Sequence, residues 1–216
     1  FKSAFFFGNI GITDTMQHMF WRNLDDKESP YQNTILSYYQ KVDGVVGEIL
    51  KTIGPNDTLI IMSDHGFDRY DYEFNVNTWL KENNFLKLKD NRNVGRELLE
   101  DVYWSGTKAY SMGYNGIYLN LKNREVQGVV TKDETGDVEK ELIEKLSIVT
   151  NPTTGKPVFK NIYTRKDLGI SQNEDQAADI FLGYYKSTRS SWDTAVGAVP
   201  DTLFVKRQSK WSGDHL

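Results

Sequence analysis

The chain has 216 residues, with 26 Lys and Arg against 30 Asp and Glu, a formal charge of −4, three His and no Cys. A near-balanced, slightly acidic surface with no basic cluster argues against a nucleic-acid partner, and no apolar run approaches the roughly 18 residues of a membrane-spanning segment. The lack of Cys excludes disulfides and thiolate metal sites and fits a reducing compartment such as the cytoplasm. The length suits one large domain or two small ones.

Residues 3–10, with Ala4-Phe5-Phe6-Phe7 at their centre, read as a buried strand that ends at Gly8-Asn9. A loop or helix start follows, carrying Asp14 and His18. The spacing predicts a helix over 30–53, where Ile35, Tyr38, Tyr39, Val42, Val46, Ile49 and Leu50 recur at three- and four-residue steps. Gly54-Pro55-Asn56 ends it. Residues 58–62 read as a short apolar strand, and Asp64-His65-Gly66 stands at its exit. Helix, then strand, with a polar pair at the strand's end, is the pattern of a parallel α/β sheet, whose ligands gather beyond the strand C-termini.

Further on, 77–85 reads as a short helix, 110–121 as strand-like alternation around Gly113 and Gly116, and 137–148 as an amphipathic helix. Asn151-Pro152-Thr153-Thr154-Gly155 is a turn. Residues 158–163 and 179–185 read as strands. The expected organisation is one domain: 1–78 in a metal-binding α/β core, 79–199 a cap-like insertion with further core elements, and 200–216 a return to the core. Both ends look cut, since the chain opens on Phe1 and stops one residue after His215.

All three histidines lie near an aspartate, in Asp14-Thr-Met-Gln-His18, Asp64-His65 and Asp214-His215. Imidazole with carboxylate is a ligand set for zinc or manganese. Asp14 and His18, four apart, share one face of a helical turn. Asp64 and His65 can face one ion where a strand turns into a loop. His215 must fold back from far along the chain, and Gly213 gives the backbone freedom for a close approach. Five ligands exceed one tetrahedral ion and fall short of two full sites. Asp14, His18 and His215 are therefore assigned to one ion, and Asp64 and His65 to a second that lacks a ligand. Each pair alone also has an ordinary structural reading, a packed histidine beside Phe20 and Trp21 or a plain turn. Those readings must all hold at once to account for every histidine.

These residues resemble the alkaline phosphatase superfamily, which includes nucleotide pyrophosphatases/phosphodiesterases and cofactor-independent phosphoglycerate mutases. The likeness rests on Asp14-x-x-x-His18, Ser63-Asp64-His65-Gly66-Phe67 and the distant His215. The segments from Trp104 to Tyr110, Gly116 to Leu121 and Trp211-Ser212-Gly213-Asp214-His215 look like its phosphohydrolase/phosphomutase branch. The resemblance implies a three-layer α/β/α sandwich around a mostly parallel sheet and two divalent ions, Zn2+ or Mn2+. It implies a small-molecule phosphate ester as substrate. It also implies a further Asp and a nucleophilic Thr or Ser upstream of the first motif. Ser3 and Thr13 sit too close to Asp14 to match that nucleophile, and no carboxylate precedes Asp14. The chain alone is then expected to be incomplete as an enzyme, with its nucleophile upstream of Phe1. A phosphomutase or an inactive metal-binding module are the competing readings. Lys108, Arg124 and Arg189 are candidate phosphate contacts or, as is usual for such residues, solvated charges.

Overall fold

Asp14 and His18 do lie one turn apart on a helix, α1 (Ile12–Phe20), in the computed structural model, which describes residues 5–171 and 176–215. The chain divides into two units, Phe1–Asp71 with Arg207–Leu216, and Tyr72–Lys206. In the first unit the apolar repeat read over 30–53 forms α2 (Thr34–Leu50). Gly54 and Pro55 follow close behind, where a ring without an N–H cannot extend the helix. α1 packs against α2. Strand β1 (Phe67–Phe74) begins here, and its first residues pair antiparallel with β8 (Gly213–His215), Phe67 facing His215 and Arg69 facing Gly213.

Two expected strands do not form. Residues 5–10 and 58–62 hold no strand, and their side chains lie open, with Phe6 84% and Met62 82% exposed. (Ser3 and Ala4 lie outside the described residues.) An apolar run becomes a strand only where a neighbour accepts its ladder and both faces are covered. No described residues pair with either segment.

In the second unit the helix expected over 77–85 is α3 (Val76–Glu82), and the alternation over 110–121 becomes a hairpin, β2 (Ala109–Ser111) and β3 (Gly116–Leu119). Its turn, Met112-Gly113-Tyr114-Asn115, needs a left-handed residue, and Gly113 supplies it at φ +83°. The helix expected over 137–148 is α4 (Thr135–Ser147), and the strands over 158–163 and 179–185 are β4 (Phe159–Thr164) and β5 (Ile180–Tyr184). β6 (Ser187–Ser190), the single turn α5 (Trp192–Ala195) and β7 (Phe204–Lys206) follow. The sheet runs β2-β3-β5-β4, and β7 pairs with the end of β1. Asn151 makes the predicted turn by accepting from the N–H groups of Thr153 and Thr154 at 2.9 and 3.2 Å.

The α/β class stands, but the mostly parallel sheet does not. The sheet that contains β1 is mixed, with β7 and β8 antiparallel to β1, and the β2-β3-β5-β4 neighbours pair antiparallel. A two- to four-residue connection such as 112–115 can join only antiparallel neighbours, because a parallel pair needs a long crossover.

Ile117 and Leu119, two apart on β3, point into the core with Ile180 and Leu182 of β5. Tyr118 between them faces the other side and stacks on its cross-strand partner Tyr110 at 5.4 Å. Val138, Leu142 and Leu146 of α4, at i, i+4 and i+8, fill the same core, while Glu141 and Lys145 pair on its outer face. Burying each such side chain contributes about 1.5–3 kcal/mol. Leu142 is fully enclosed. Leu142→Ala is therefore expected to cost about 2–5 kcal/mol in a denaturant titration.

Buried carboxylates tie the connections down. Asp101 accepts from the Arg96 backbone and guanidinium at 3.0 Å and from Arg92 Nη1 at 2.7 Å. The hydrogen bond from the Arg96 side chain holds its carboxyl well below the usual range. A depressed pKa contributes stability above the unfolded value, lost as pH falls through the folded one. Asp101→Asn should lower the melting temperature at neutral pH. The gap to the parent chain should narrow as pH falls below about 4, which thermal unfolding at stepped pH would read.

Candidate metal centre

α1 carries Asp14 in its first turn, where the helix dipole favours an anion, and His18 in its last turn, where it favours a cation. His18 is buried, with 5% of its surface exposed. Its ring stacks on Trp211 at 4.1 Å and meets the Phe67 ring edge-on at 4.7 Å. Nδ1 lies 2.9 Å from the Gly213 carbonyl, which can only accept, so Nδ1 carries the proton. Nε2 points toward Asp14, 3.5 Å from Oδ1.

β8 delivers His215 to the same place. The Ser212 N–H donates to the His18 carbonyl at 2.7 Å, Ser212 Oγ accepts from the Arg22 N–H at 3.1 Å, and Tyr70 N–H donates to the Ser212 carbonyl at 3.2 Å. The strand thus lies against the end of α1. A Cβ on Gly213 would come within 2.7 Å of both the Gln17 carbonyl oxygen and Phe67 Cε1, and 2.9 Å of Trp21 Cβ. Only glycine allows this approach. His215 Nε2 ends 3.0 Å from Asp14 Oδ1.

Asp14, His18 and His215 each offer a ligand atom, all within 4.8 Å of one another. Ligand bonds of about 2.0–2.1 Å to a tetrahedral ion put neighbouring ligand atoms about 3.4 Å apart. Distances of 3.0 and 3.5 Å to Asp14 lie near that spacing and all three atoms fall within 4.8 Å, which makes Asp14, His18 and His215 a candidate cation-binding group. His65 stacks on His215 at 3.7 Å, with Nε2 3.9 Å from Asp14 Oδ1, and its Nδ1 lies 3.0 Å from the Gly66 carbonyl. Asp64 Oδ1 is 3.7 Å from His65 Nε2, and the Asp64 side chain is 89% exposed. Among the described residues, Asp14, His18 and His215 are the group of three that converges; Asp64 and His65 form no separate one.

The chain belongs to the type I phosphodiesterase/nucleotide pyrophosphatase family. The family's model matches residues 2–191. This is a family of phosphoric ester hydrolases, consistent with the alkaline phosphatase superfamily to which the motifs point. Comparisons with curated proteins and with solved structures return no match. The family match stops short of His215, whose place beside Asp14 and His18 is a matter of geometry.

The second unit's candidate phosphate contacts are mostly committed elsewhere. Arg124 donates through Nη1 and Nη2 to Asp179 at 2.8 and 2.7 Å, through Nη2 to the Leu119 carbonyl, and through Nε to Glu125 at 2.7 Å. Arg189, 8% exposed, donates to Glu73 at 2.6 Å. Neither is a solvated charge, since a buried guanidinium is retained only where carboxylates neutralise it. Lys108 is exposed. No helix is long and apolar enough to cross a membrane among the described residues.

Phe67, Trp211 and Gly213 lie within the quoted motifs, but their contacts with His18 were not expected. A run of aromatics beside ligand-type residues was visible, but nothing in their spacing says that they touch imidazole. Gly213→Ala must push β8 from α1 by several tenths of an ångström. It is expected to abolish tight zinc binding, measured by elemental analysis after gel filtration, while the circular dichroism of the second unit's core persists.

Proposed function

We propose that this chain supplies most of a two-ion centre in a phosphodiesterase or phosphatase that acts on a small-molecule phosphate ester. In this reading Asp14, His18 and His215 hold one ion, and Asp64 and His65 contribute to a second. Imidazole with carboxylate favours Zn2+, with Mn2+ as the alternative. The observation that carries the reading is the convergence of Asp14, His18 and His215, from two distant parts of the chain, within 4.8 Å.

A divalent ion held by Asp14, His18 and His215 would supply Lewis-acid chemistry, lowering the pKa of a hydroxyl and polarising a phosphoryl oxygen. The residues prepare that chemistry. Gly213 fixes the His18 tautomer so that Nε2 presents a lone pair, as second-shell carbonyls do in metal sites. Asp14 brings the negative charge that two neutral imidazoles lack. His18 closes the buried side of the group, while Asp14 and His215 remain 41% and 49% exposed at the side chain, leaving that side open to a phosphate ester. The nucleophile in this reading is a Thr or Ser upstream of Phe1, joined by a further Asp for the second ion. As in other covalent phosphoryl transfers, that hydroxyl would attack phosphorus as the P–O bond to the ester's alcohol group breaks, and water would then cleave the phosphoryl–enzyme bond, releasing the phosphate product and regenerating the hydroxyl.

The test is metal content by elemental analysis of the purified chain, with His18→Ala and His215→Ala variants. About one zinc or manganese per chain, lost in both variants, is the expected result. Full retention in either variant would overturn the assignment. The chain itself is expected to leave bis(p-nitrophenyl) phosphate intact, and turnover by it would refute an upstream nucleophile.

A further inference from the structure

Phe67 touches every histidine in the chain. Its ring centroid lies 4.7 Å from that of His18, 5.4 Å from that of His215 and 6.1 Å from that of His65. The first two contacts are edge-to-face, at 74° and 69°. Three different structural relations produce this. His65 precedes Phe67 by two residues, His215 is its cross-strand partner in the β1–β8 ladder, and His18 comes from α1. The Phe67 ring is itself held by Trp21, stacked at 5.4 Å and 27°. It fills the space beside Gly213 that a Cβ would take, 2.7 Å from Phe67 Cε1.

We propose that Phe67 is the positioning residue of the metal-ligand set, holding the three imidazoles in their ligating orientations. This rests on the metal-centre reading above. A phenyl ring cannot ligate and offers no hydrogen bond that would compete for an imidazole nitrogen. Its effect is to restrict ring rotation, so that less conformational freedom is lost when the ion binds. His18 and His65 also have carbonyl oxygens at Nδ1, from Gly213 and Gly66. Among the described residues His215 has no such partner at Nδ1. Its orientation is set by Asp14 and by the rings of His18, His65 and Phe67. His215 is therefore the ligand most dependent on Phe67.

The experiment is a Co2+ titration followed by visible absorption, with a Zn2+ competition for affinity and far-ultraviolet circular dichroism as the folding check. The chain is compared with Phe67→Ala, Phe67→Leu and Phe67→Tyr. Phe85→Leu, in the core of the other unit, serves as a control for simple loss of stability. Loss of an outer support typically weakens metal binding 10–100-fold. Phe67→Ala is expected to fall in that range and to shift the Co2+ bands, Phe67→Tyr to restore both, and Phe85→Leu to change neither. A folded Phe67→Ala with parental affinity and bands would overturn the proposal. So would band changes equal to those of Phe85→Leu. If Phe67→Ala does not fold, Phe67→Leu decides on the same criteria. Absence of Co2+ binding by the parent chain would sink the metal-centre reading itself. Binding lost in His18→Ala but kept in Phe67→Ala would sink only the role given to Phe67.

Discussion

The missing Cβ at position 213 is the constraint on which the candidate site depends. With it absent, the strand carrying His215 can lie against the C-terminal turn of α1. Two short hydrogen bonds then join the partners in both directions, Ser212 N–H to the His18 carbonyl at 2.7 Å and His18 Nδ1 to the Gly213 carbonyl at 2.9 Å. The same contact does two jobs. It satisfies a carbonyl at the end of α1, which has no partner within its own helix, and it sets which nitrogen of His18 is free. Helix-end chemistry and the orientation of the His18 ring are thus one interaction.

Around that contact the chain uses aromatic rings where many metal sites use carboxylates. Trp211 and Phe67 enclose His18, and Trp21 steadies Phe67. A carboxylate behind an imidazole would raise its basicity, whereas a carbonyl and two rings constrain it without adding charge. The negative charge of the group is left to Asp14. The second unit follows a different logic. There the buried charges are paired, Arg124 with Asp179 and Glu125, Asp101 with the exposed side chains of Arg92 and Arg96, and Arg189 with Glu73. Burial also pushes the Tyr110 hydroxyl up to about 12, out of reach as a base at neutral pH. Groups neutralised in this way hold loops in place and are poorly suited to meeting a phosphate.

Local patterns predicted local structure well. The three- and four-residue repeat from Ile35 to Leu50 became α2, the one containing Val138, Leu142 and Leu146 became α4, and Asn151 with Gly155 became a turn. These outcomes depend on residues within one or two turns of each other. The apolar runs at 5–7 and 59–62 failed as strands for the opposite reason. A β ladder is made with distant residues, and hydrophobicity alone does not supply a neighbour. The mostly parallel sheet expected from the helix–strand order at 30–62 and from the family resemblance does not form, and the short link between Ser111 and Gly116 dictates an antiparallel pair.

The sequence by itself determined the side-chain types of the candidate site, the i, i+4 pairing of Asp14 with His18, and the glycine that permits close approach, because each is a property of a few adjacent residues. Only the tertiary structure decided that His215 returns to Asp14, that Asp64 is left largely in solvent, and that Phe67 lies against all three imidazoles. Those facts follow from strand register and from the packing of β8 on α1, which join residues about 200 positions apart, and no local periodicity encodes a contact over that separation.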